Sequence, residues 1–519
     1  MKKTSVVLFL WAILFGVISS AHADPVYVKV GGTGDGSSWA NACGSLQAAL
    51  NNHPGTEIWV AEGTYTEPST IMWTEGSKAY GGFKGDEVAR DQRNWMDNAT
   101  ILDGEGVRQV LYIGVKDPVD PEGEYLLRRN TRLDGFIVQN GYVNEPYNKN
   151  GGGGVYCRRL DGSNVIANCI FQNNEVVAGE EWGAGGALLS VECPGHIIEN
   201  CVFKNNVAAD GNEGSLERGC GAIWFHYSNA HVENCSFEGN RAPRVGAIGI
   251  NRSPAPSESG FGPPELVIRK CRFIDNEAWR REAGAVKAGF ESKVSIEDCV
   301  FDGNAAPYDT SSASGGAIFV CDNGTFMTVD RCYFTRNNGH QDAGGILATE
   351  RAQLIVSNSV FCDNISRNGA SIAVTSNRDD PDVPRRHTYA NIINCTFLEN
   401  QRTNDWGAVG VAMWSPNSNN SVHCYILNSI FWNEDTDIRQ VRDCHVGYSH
   451  LSTGDGIADK GNNVFGADPQ LIGGSNPRIS ATSPCKDSGS ASLPSWVEYT
   501  LDASIPDHDI LSNPRPFGS

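Results

Sequence analysis

Asn168-Cys-Ile-Phe171-Gln-Asn-Asn174 is followed by Asn200-Cys-Val-Phe203-Lys-Asn-Asn206 and then by Asn234-Cys-Ser-Phe237-Glu-Gly-Asn240. Degenerate copies stand at Cys271/Phe273/Asn276, Cys299/Phe301/Asn304, Cys332/Phe334/Asn337, Ser359/Phe361/Asn364, Cys395/Phe397/Asn400 and Ser429/Phe431. The Cys-or-Ser position steps by 32, 34, 36, 28, 33, 27, 36 and 34 residues. The Phe is invariant, and the Asn three residues on fails only in the last copy, where Glu434 stands. A period of this length with variable inserts marks stacked repeats, none of which buries its apolar face alone.

The repeat is a strand repeat. Cys and Phe lie two apart, which puts both on one face of a strand. The runs before them (Gly185-Gly-Ala-Leu-Leu, Gly221-Ala-Ile-Trp, Gly246-Ala-Ile, Gly284-Ala-Val, Gly315-Gly-Ala-Ile-Phe, Gly344-Gly-Ile-Leu, Gly407-Ala-Val) are too short and too Gly-rich for helices. Asn tolerates left-handed backbone and closes bends with its amide. Each repeat reads as strand, loop, strand, bend, short strand and Asn-closed turn. Stacked about 4.8 Å apart, such repeats form internal ladders of Phe, Cys and Asn, whose amides satisfy one another. The prediction is an all-β chain wound as a parallel β-helix.

These Asn-Cys-x-Phe-x-x-Asn turns and Gly-Gly-Ala strands resemble the pectin-lyase-like right-handed parallel β-helix superfamily. Within it they resemble most the exported bacterial "choice-of-anchor Q" proteins, and more loosely polymorphic outer-membrane protein repeats. The resemblance implies a right-handed solenoid with an N-terminal capping helix and an irregular C-terminal closing segment. It leaves function open, because the superfamily holds lyases, hydrolases, epimerases and non-enzymatic surface proteins.

Lys2 and Lys3, an apolar run from Val6 to Ile18 and Ala21-His-Ala23 make residues 1–23 a secretory signal peptide. No later segment is apolar enough to span a bilayer, so an exported protein without an integral membrane segment is expected. The chain holds 41 Lys+Arg and 61 Asp+Glu, net -20. This disfavours nucleic acid, and disfavours a polyanionic glycan unless cations bridge it or a local basic patch exists. Three further divisions are expected. Residues 24–150 form the cap and first turns, 151–435 the repeat region, and 436–519 the last turns and closing segment.

Gly31-Gly-Thr-Gly-Asp-Gly-Ser-Ser-Trp has the wrong spacing for a nucleotide loop. The resemblance instead implies that it leads into a capping helix near Ser45–Asn51, with Leu46, Ala49 and Leu50 on one face. It also matches Glu57–Tyr65 and Ala79–Glu87 to entry turns, followed by Arg90, Arg93 and Trp95. The acidic loop from Asp117 to Glu124 is a Ca²⁺ candidate, though a solvated loop explains it without ligands at alternating positions. No other cofactor is expected. Gly466-Ala-Asp-Pro-Gln-Leu-Ile, Ser483-Pro-Cys-Lys-Asp-Ser-Gly and Asn513-Pro-Arg-Pro-Phe-Gly resemble the family's closing segment.

Seven of the sixteen cysteines occupy the ladder, where Ser359 and Ser429 substitute. The position therefore wants a small buried residue, not a bond. Cys444 with Cys485 is the expected disulfide in the irregular end. Neither Cys-x-x-Cys nor His-Glu-x-x-His occurs, so no zinc is indicated.

Alternation along the Gly-Ala strands points Ile223, Ile248, Val286, Ile318 and Leu347 inward. It turns Trp224, Gly249, Lys287, Phe319 and Ala348 outward, with His226, Asn251, Gly289, Cys321 and Glu350 two residues on. On that face Trp224 and Phe319 would stack on sugars, and Asn251, Arg252 and Arg351 would bind them. Lys287, its pKa depressed by apolar neighbours, would take a proton; His226 would donate one and Glu350 would hold a cation or hydroxyl. Trp182, Trp279 and Trp406 would line an edge. A second face, Glu199, Glu233, Arg269, Glu297 and Asp330, stacks like charges that a cation would relieve. An ordinary solvated face is the default reading of either cluster. The motifs of polygalacturonases (Asn-Thr-Asp, paired Asp, Gly-His-Gly) and pectate lyases (Arg-x-Pro-x-x-Arg) are missing. The expectation is a monomeric exported β-helix that binds polysaccharide or a cell-surface partner. A polysaccharide lyase or glycoside hydrolase and a protein-contact scaffold are the alternatives.

Overall fold

The computed structural model describes residues 24–494, apart from 115–128, 145–150, 179–183, 211–218, 252–261, 308–313, 377–386, 405–406, 415–421, 434, 440–443, 453–456, 473–477, 481, 486–488, 491 and 493. The signal peptide, the Asp117–Glu124 loop, Arg252, Trp182 and Trp406 lie outside the described residues.

Each turn visits three long parallel sheets. The repeat beginning at Val165–Ala167 in the first sheet passes to Ile170–Gln172 in the second, then to Leu188–Val191 in the third, and returns to the first at Ile197–Glu199. Among the described residues the sheets hold 15, 14 and 12 strands, in chain order throughout, as a right-handed parallel β-helix requires. Between the second and third sheets a five-stranded side sheet runs from Tyr142–Val143 to Glu277–Ala278. The only antiparallel pair among the described strands, Leu471–Ile472 with Arg478–Ile479, lies beyond the solenoid.

The repeat motif builds the core. All nine Phe rings are buried, and successive rings from Phe171 to Phe431 stack 4.4 to 5.0 Å apart, nearly parallel. The amides form a second ladder. Each Asn donates its backbone N–H and its Nδ2 to the Oδ1 of the Asn one rung later; Asn276 reaches Asn304 at 3.2 and 2.9 Å. Nδ2 also donates to a carbonyl one rung back, as Asn276 does to Phe237 at 2.9 Å. Where Glu434 was expected to end the series, Asn433 supplies the acceptor for Asn400 instead, at 3.1 and 3.3 Å.

The left-handed residues are not the ladder Asn but their neighbours. One column runs through Asn168, Asn200, Asn234, Lys270, Asp298, Arg331, Asn358, Asn394 and Asn428, with φ between 47° and 56°. It makes the bend from the first sheet to the second. The residue just before each ladder Asn makes the next bend.

The cysteine ladder is a hydrogen-bond ladder. Cys169 N–H points to Cys201 Sγ at 3.4 Å, and each thiol donates to a carbonyl two residues back, such as Cys201 to Glu199 at 3.2 Å. Ser359 makes the same contacts, accepting from Cys332 N–H at 3.1 Å and donating to Ser357 at 2.7 Å. No disulfide joins any of the sixteen cysteines in the structure. The expected Cys444–Cys485 bond is not formed, because Cys444 lies inside the first sheet, paired in register with Cys424.

A helix at Leu46–Asn52, capped by Ser45, closes the N-terminal end with Leu46, Ala49 and Leu50 buried. The Gly-rich segment before it wraps outside the first sheet, where Trp39 packs on Tyr27 and Phe83. Arg93 holds the next turn, donating to the carbonyls of Gly81 and Asp134 and pairing with the buried Asp134 carboxylate. Among the described residues no helix is long and apolar enough to cross a membrane.

Candidate functional site

The outer face of the third sheet is not open to solvent. Trp224, His226, Asn251, Lys287 and Phe319 are all buried, correcting the expectation of an exposed row. The cause is a narrow ladder at the corner just before each Gly-Ala strand. It runs through Cys220, Val245, Ala283, Gly315, Ala343 and Gly369 and folds back over that face. Cys220, Val245, Ala283 and Ala343 pack there with Trp224, Phe319 and Leu347. The corner itself demands glycine. A Cβ on Gly221 or Gly246 would stand 2.2 or 1.9 Å from the carbonyl oxygen of the next rung. Gly249 leaves room for Trp224, whose ring would meet a Cβ there at 2.8 Å.

Register corrects the last rung. Lys287 pairs with Phe319 and Phe319 with Leu347, while Ile346 faces inward. Gly345 stands where the five preceding repeats carry Ala187, Ala222, Ala247, Ala285 and Ala317, so matching Gly344-Gly345 to the pair Gly315-Gly316 slipped the row by one. Ala348 is therefore inside, and Thr349 rather than Glu350 continues the outward row. Glu350 and Arg351 are half-buried in left-handed conformation, φ 54° and 72°.

Lys287 is not a poised base. Its ammonium donates to Glu282 at 2.7 Å with both side chains about nine-tenths buried or more. Burial alone would lower its pKa, but Glu282 and Cys321 together more than offset that and raise it. Burial likewise works to raise Glu282, yet Lys287 and Arg244, 3.4 Å away, hold the carboxyl below its ordinary range. Beyond Lys287, Cys321, Asp322 and Glu350 bring their ligand atoms within 4.8 Å of one another. A thiol with two carboxylates suits a borderline ion such as zinc better than Ca²⁺. The Cys321 thiol donates to Asp322 at 3.2 Å and burial raises its pKa well above that of a free thiol.

Sequence reading missed the polar column of the corner ladder: Arg244, Glu282, Ser314, Asp342 and Asn368. Asp342 accepts from Ser314 N–H at 3.1 Å and from Asn368 Nδ2 at 3.0 Å, and burial pushes its carboxyl up to about 6. The signal was present. Arg244-Val-Gly, Glu282-Ala-Gly, Ser314-Gly-Gly and Asp342-Ala-Gly each set a polar residue before a small one and the corner Gly.

Trp279 lies at the solvent edge of this corner, half-buried, with Arg241 over its ring at 5.6 Å. The second expected cluster is internally paired. Arg132 bridges Asp134 and Glu199, Lys270 reaches Glu233, and Arg269 and Arg331 take Glu297. Arg331 also takes Asp298 and Asp330.

The chain belongs to the right-handed β-helix family, whose model, described as "Right handed beta helix region", matches residues 58–320. No curated protein matches it in sequence. Among solved structures it is similar to PfbA, a surface adhesin of Streptococcus pneumoniae, at 12% identity, covering 78% of this chain and 88% of that one with a TM-score of 0.41. It is similar to the tailspike protein of E. coli bacteriophage HK620, solved in complex with a pentasaccharide, at 11% identity, 83% and 77% coverage and a TM-score of 0.33. It is also similar to a family 28 exopolygalacturonase of Yersinia enterocolitica, at 13% identity, 85% and 78% coverage and a TM-score of 0.36. Likenesses this distant transfer no residue roles.

Proposed function

We propose that the protein is exported and binds carbohydrate, or a carbohydrate-bearing cell surface, at the edge where the corner ladder meets the third sheet. One observation carries the reading. Trp279 is only half-buried, with Arg241 over its ring, at the edge of a corner whose polar side chains Arg244, Glu282 and Lys287 are held by one another. The test is a glycan array probed with the purified chain. At least one glycan class should bind, and Trp279→Ala should weaken it about tenfold or more at unchanged circular dichroism, in line with an aromatic contact of about 1–2 kcal/mol. An array without hits, or hits indifferent to Trp279, would reject this site.

A second reading, a carbohydrate-active enzyme, is favoured by the carboxyl pair. Glu282 and Asp342 sit two rungs apart on one ladder, roughly 10 Å along the axis, with proton affinities pushed in opposite directions. Such a split assigns an acid, Asp342, and a base, Glu282. Released reducing ends that vanish in Asp342→Asn would support this reading.

A further inference from the structure

We propose that Cys424 and Cys444 are a redox pair, joined by a reversible disulfide that staples the last turns of the solenoid. Their strands, Val422–Leu427 and Cys444–Gly447, run parallel in the first sheet and set the two cysteines opposite one another. No other pairing between described strands brings two cysteines into register. Both side chains are buried in the core. They end an inward column that runs through Leu266, Val294, Met327, Leu354 and Ala390. The two thiols are in hydrogen-bonding contact.

In-register residues of adjacent parallel strands have Cα atoms about 4.8 Å apart, inside the span of about 4.4–6.8 Å that a disulfide bridges. Their Cβ atoms lie about as far apart, slightly beyond the usual span of about 3.5–4.5 Å, so the two strands must draw together a little. Rungs packed on both sides resist such a movement. The end of the first sheet is looser: the strand that follows, Ala458–Asp459, pairs with His445 and Val446 and leaves the Cys444 position outside its pairing. A bond closed under strain is more easily reduced, which makes it a switch and not a permanent staple.

The ladder cysteines share the rung spacing but serve another purpose. Their thiols and N–H groups carry the hydrogen bonds described above, and Ser359 and Ser429 accept from the preceding rung in the same way. Sulfur is therefore dispensable there. Export, proposed above, places the pair in a compartment where disulfides persist. The oxidant is a small-molecule disulfide such as oxidised glutathione. The thiolate of one cysteine attacks a sulfur of that disulfide and expels one thiol; the thiolate of the other then attacks the mixed disulfide and expels the second. Two protein thiols are oxidised, and their two electrons and two protons leave on the two expelled thiols. The contact with Cys444 and burial both hold the Cys424 thiol well above the range of a free thiol. Exchange therefore proceeds from opened end rungs and quickens as pH rises. Because each rung touches only its neighbours, the bond stabilises that end alone.

The full chain is incubated with oxidised glutathione at mildly alkaline pH, or with dithiothreitol, and its thiols are counted after unfolding. Oxidation should lower the count by two, from sixteen to fourteen, and reduction should restore it. Mass mapping of a proteolytic digest should show one peptide joined through Cys424 and Cys444. The double variant C424A/C444A should start at fourteen and lose none. Amide hydrogen exchange across Val422–Leu427 and Cys444–Gly447 should be slower in the oxidised protein than in the reduced one, at unchanged exchange across Val165–Ala167. Sixteen thiols after oxidation, a bond mapped to a different pair, or equal exchange in the two states overturns the proposal. The wild-type map decides even if the double variant does not fold.

Discussion

His196 and Asp342 set opposite pH dependences into one fold. His196 is buried, its Nδ1 3.5 Å from Ser190 Oγ and its Nε2 without a hydrogen-bond partner, and burial holds its pKa down to about 4. The folded state therefore resists a proton that the unfolded chain accepts below about 6.5. The stability tied to neutral His196 is complete above that pH and is lost as pH falls toward 4. Asp342 has the reverse sign. Its folded pKa is raised to about 6, so its contribution is complete below the unfolded value near 3.8 and is lost as pH climbs through 6. Each amounts to about 3 kcal/mol, and between pH 4 and 6 they largely cancel. Urea titrations across pH 4–7 should separate them. Relative to wild type, His196→Leu should gain stability toward acid and Asp342→Asn should lose it. Parallel curves for all three proteins would refute the assignment. His196 could not be singled out from sequence, since burial depends on which neighbour covers it; Asp342 is marked only by its place before the corner Gly, and the partners that fix it, Ser314 and Asn368, stand 28 and 26 residues away. Lys287 fails for another reason: its strand position was legible, but its partner Glu282, only five residues away, belongs to a ladder whose members share a place before the corner Gly and no residue type.

At the scale of elements, the ladders were legible where one residue type repeats and illegible where composition alone repeats. Phe, Cys and Asn recur visibly, and the three sheets follow. The corner ladder is built from Cys220, Val245, Ala283, Gly315 and Ala343, which share only small size, so the face it covers was taken for an open one. The Asn ladder gives the sharper test. Asn304 accepts from Asn276 at 3.2 and 2.9 Å and donates to Asn337 and to the carbonyl of Phe273. Asn304→Ala strands several buried partners at once, each costing about 1–3 kcal/mol, for a total on the order of 4. Asn433, partly exposed and last in the row, should cost about 1 when replaced. Chemical denaturation of both variants checks the gradient, and equal losses would mean that the ladder is not the stabilising element.

As a whole molecule, the protein is a one-dimensional stack in which each rung touches only its neighbours, so stability is shared locally and not pooled. Phe301→Ala should cost about 3–5 kcal/mol, as for other buried aromatics. It should also raise amide hydrogen exchange on the rungs of Phe273 and Phe334 while leaving the Ile58–Val60 region unchanged. Uniform loss of protection across the chain would show a single cooperative unit instead.

The amide ladder also has a direction. Every side-chain amide from Asn174 to Asn433 turns its Oδ1 toward the start of the chain and its Nδ2 toward the end, so nine small dipoles add head to tail along the axis. The row opens on the Gly141 N–H, a donor, and closes where Asn433 Nδ2 meets Asp437 at 2.9 Å, a carboxylate buried to 1% exposure. The positive pole of this internal electret is thus stopped by a fixed anion. Further amide rungs cannot be stacked past that point without displacing it, so the length of the amide ladder is written into the interior as a polarity that begins on a donor and ends on an acid, while the sheets run on to Ala458 and Val464 without it.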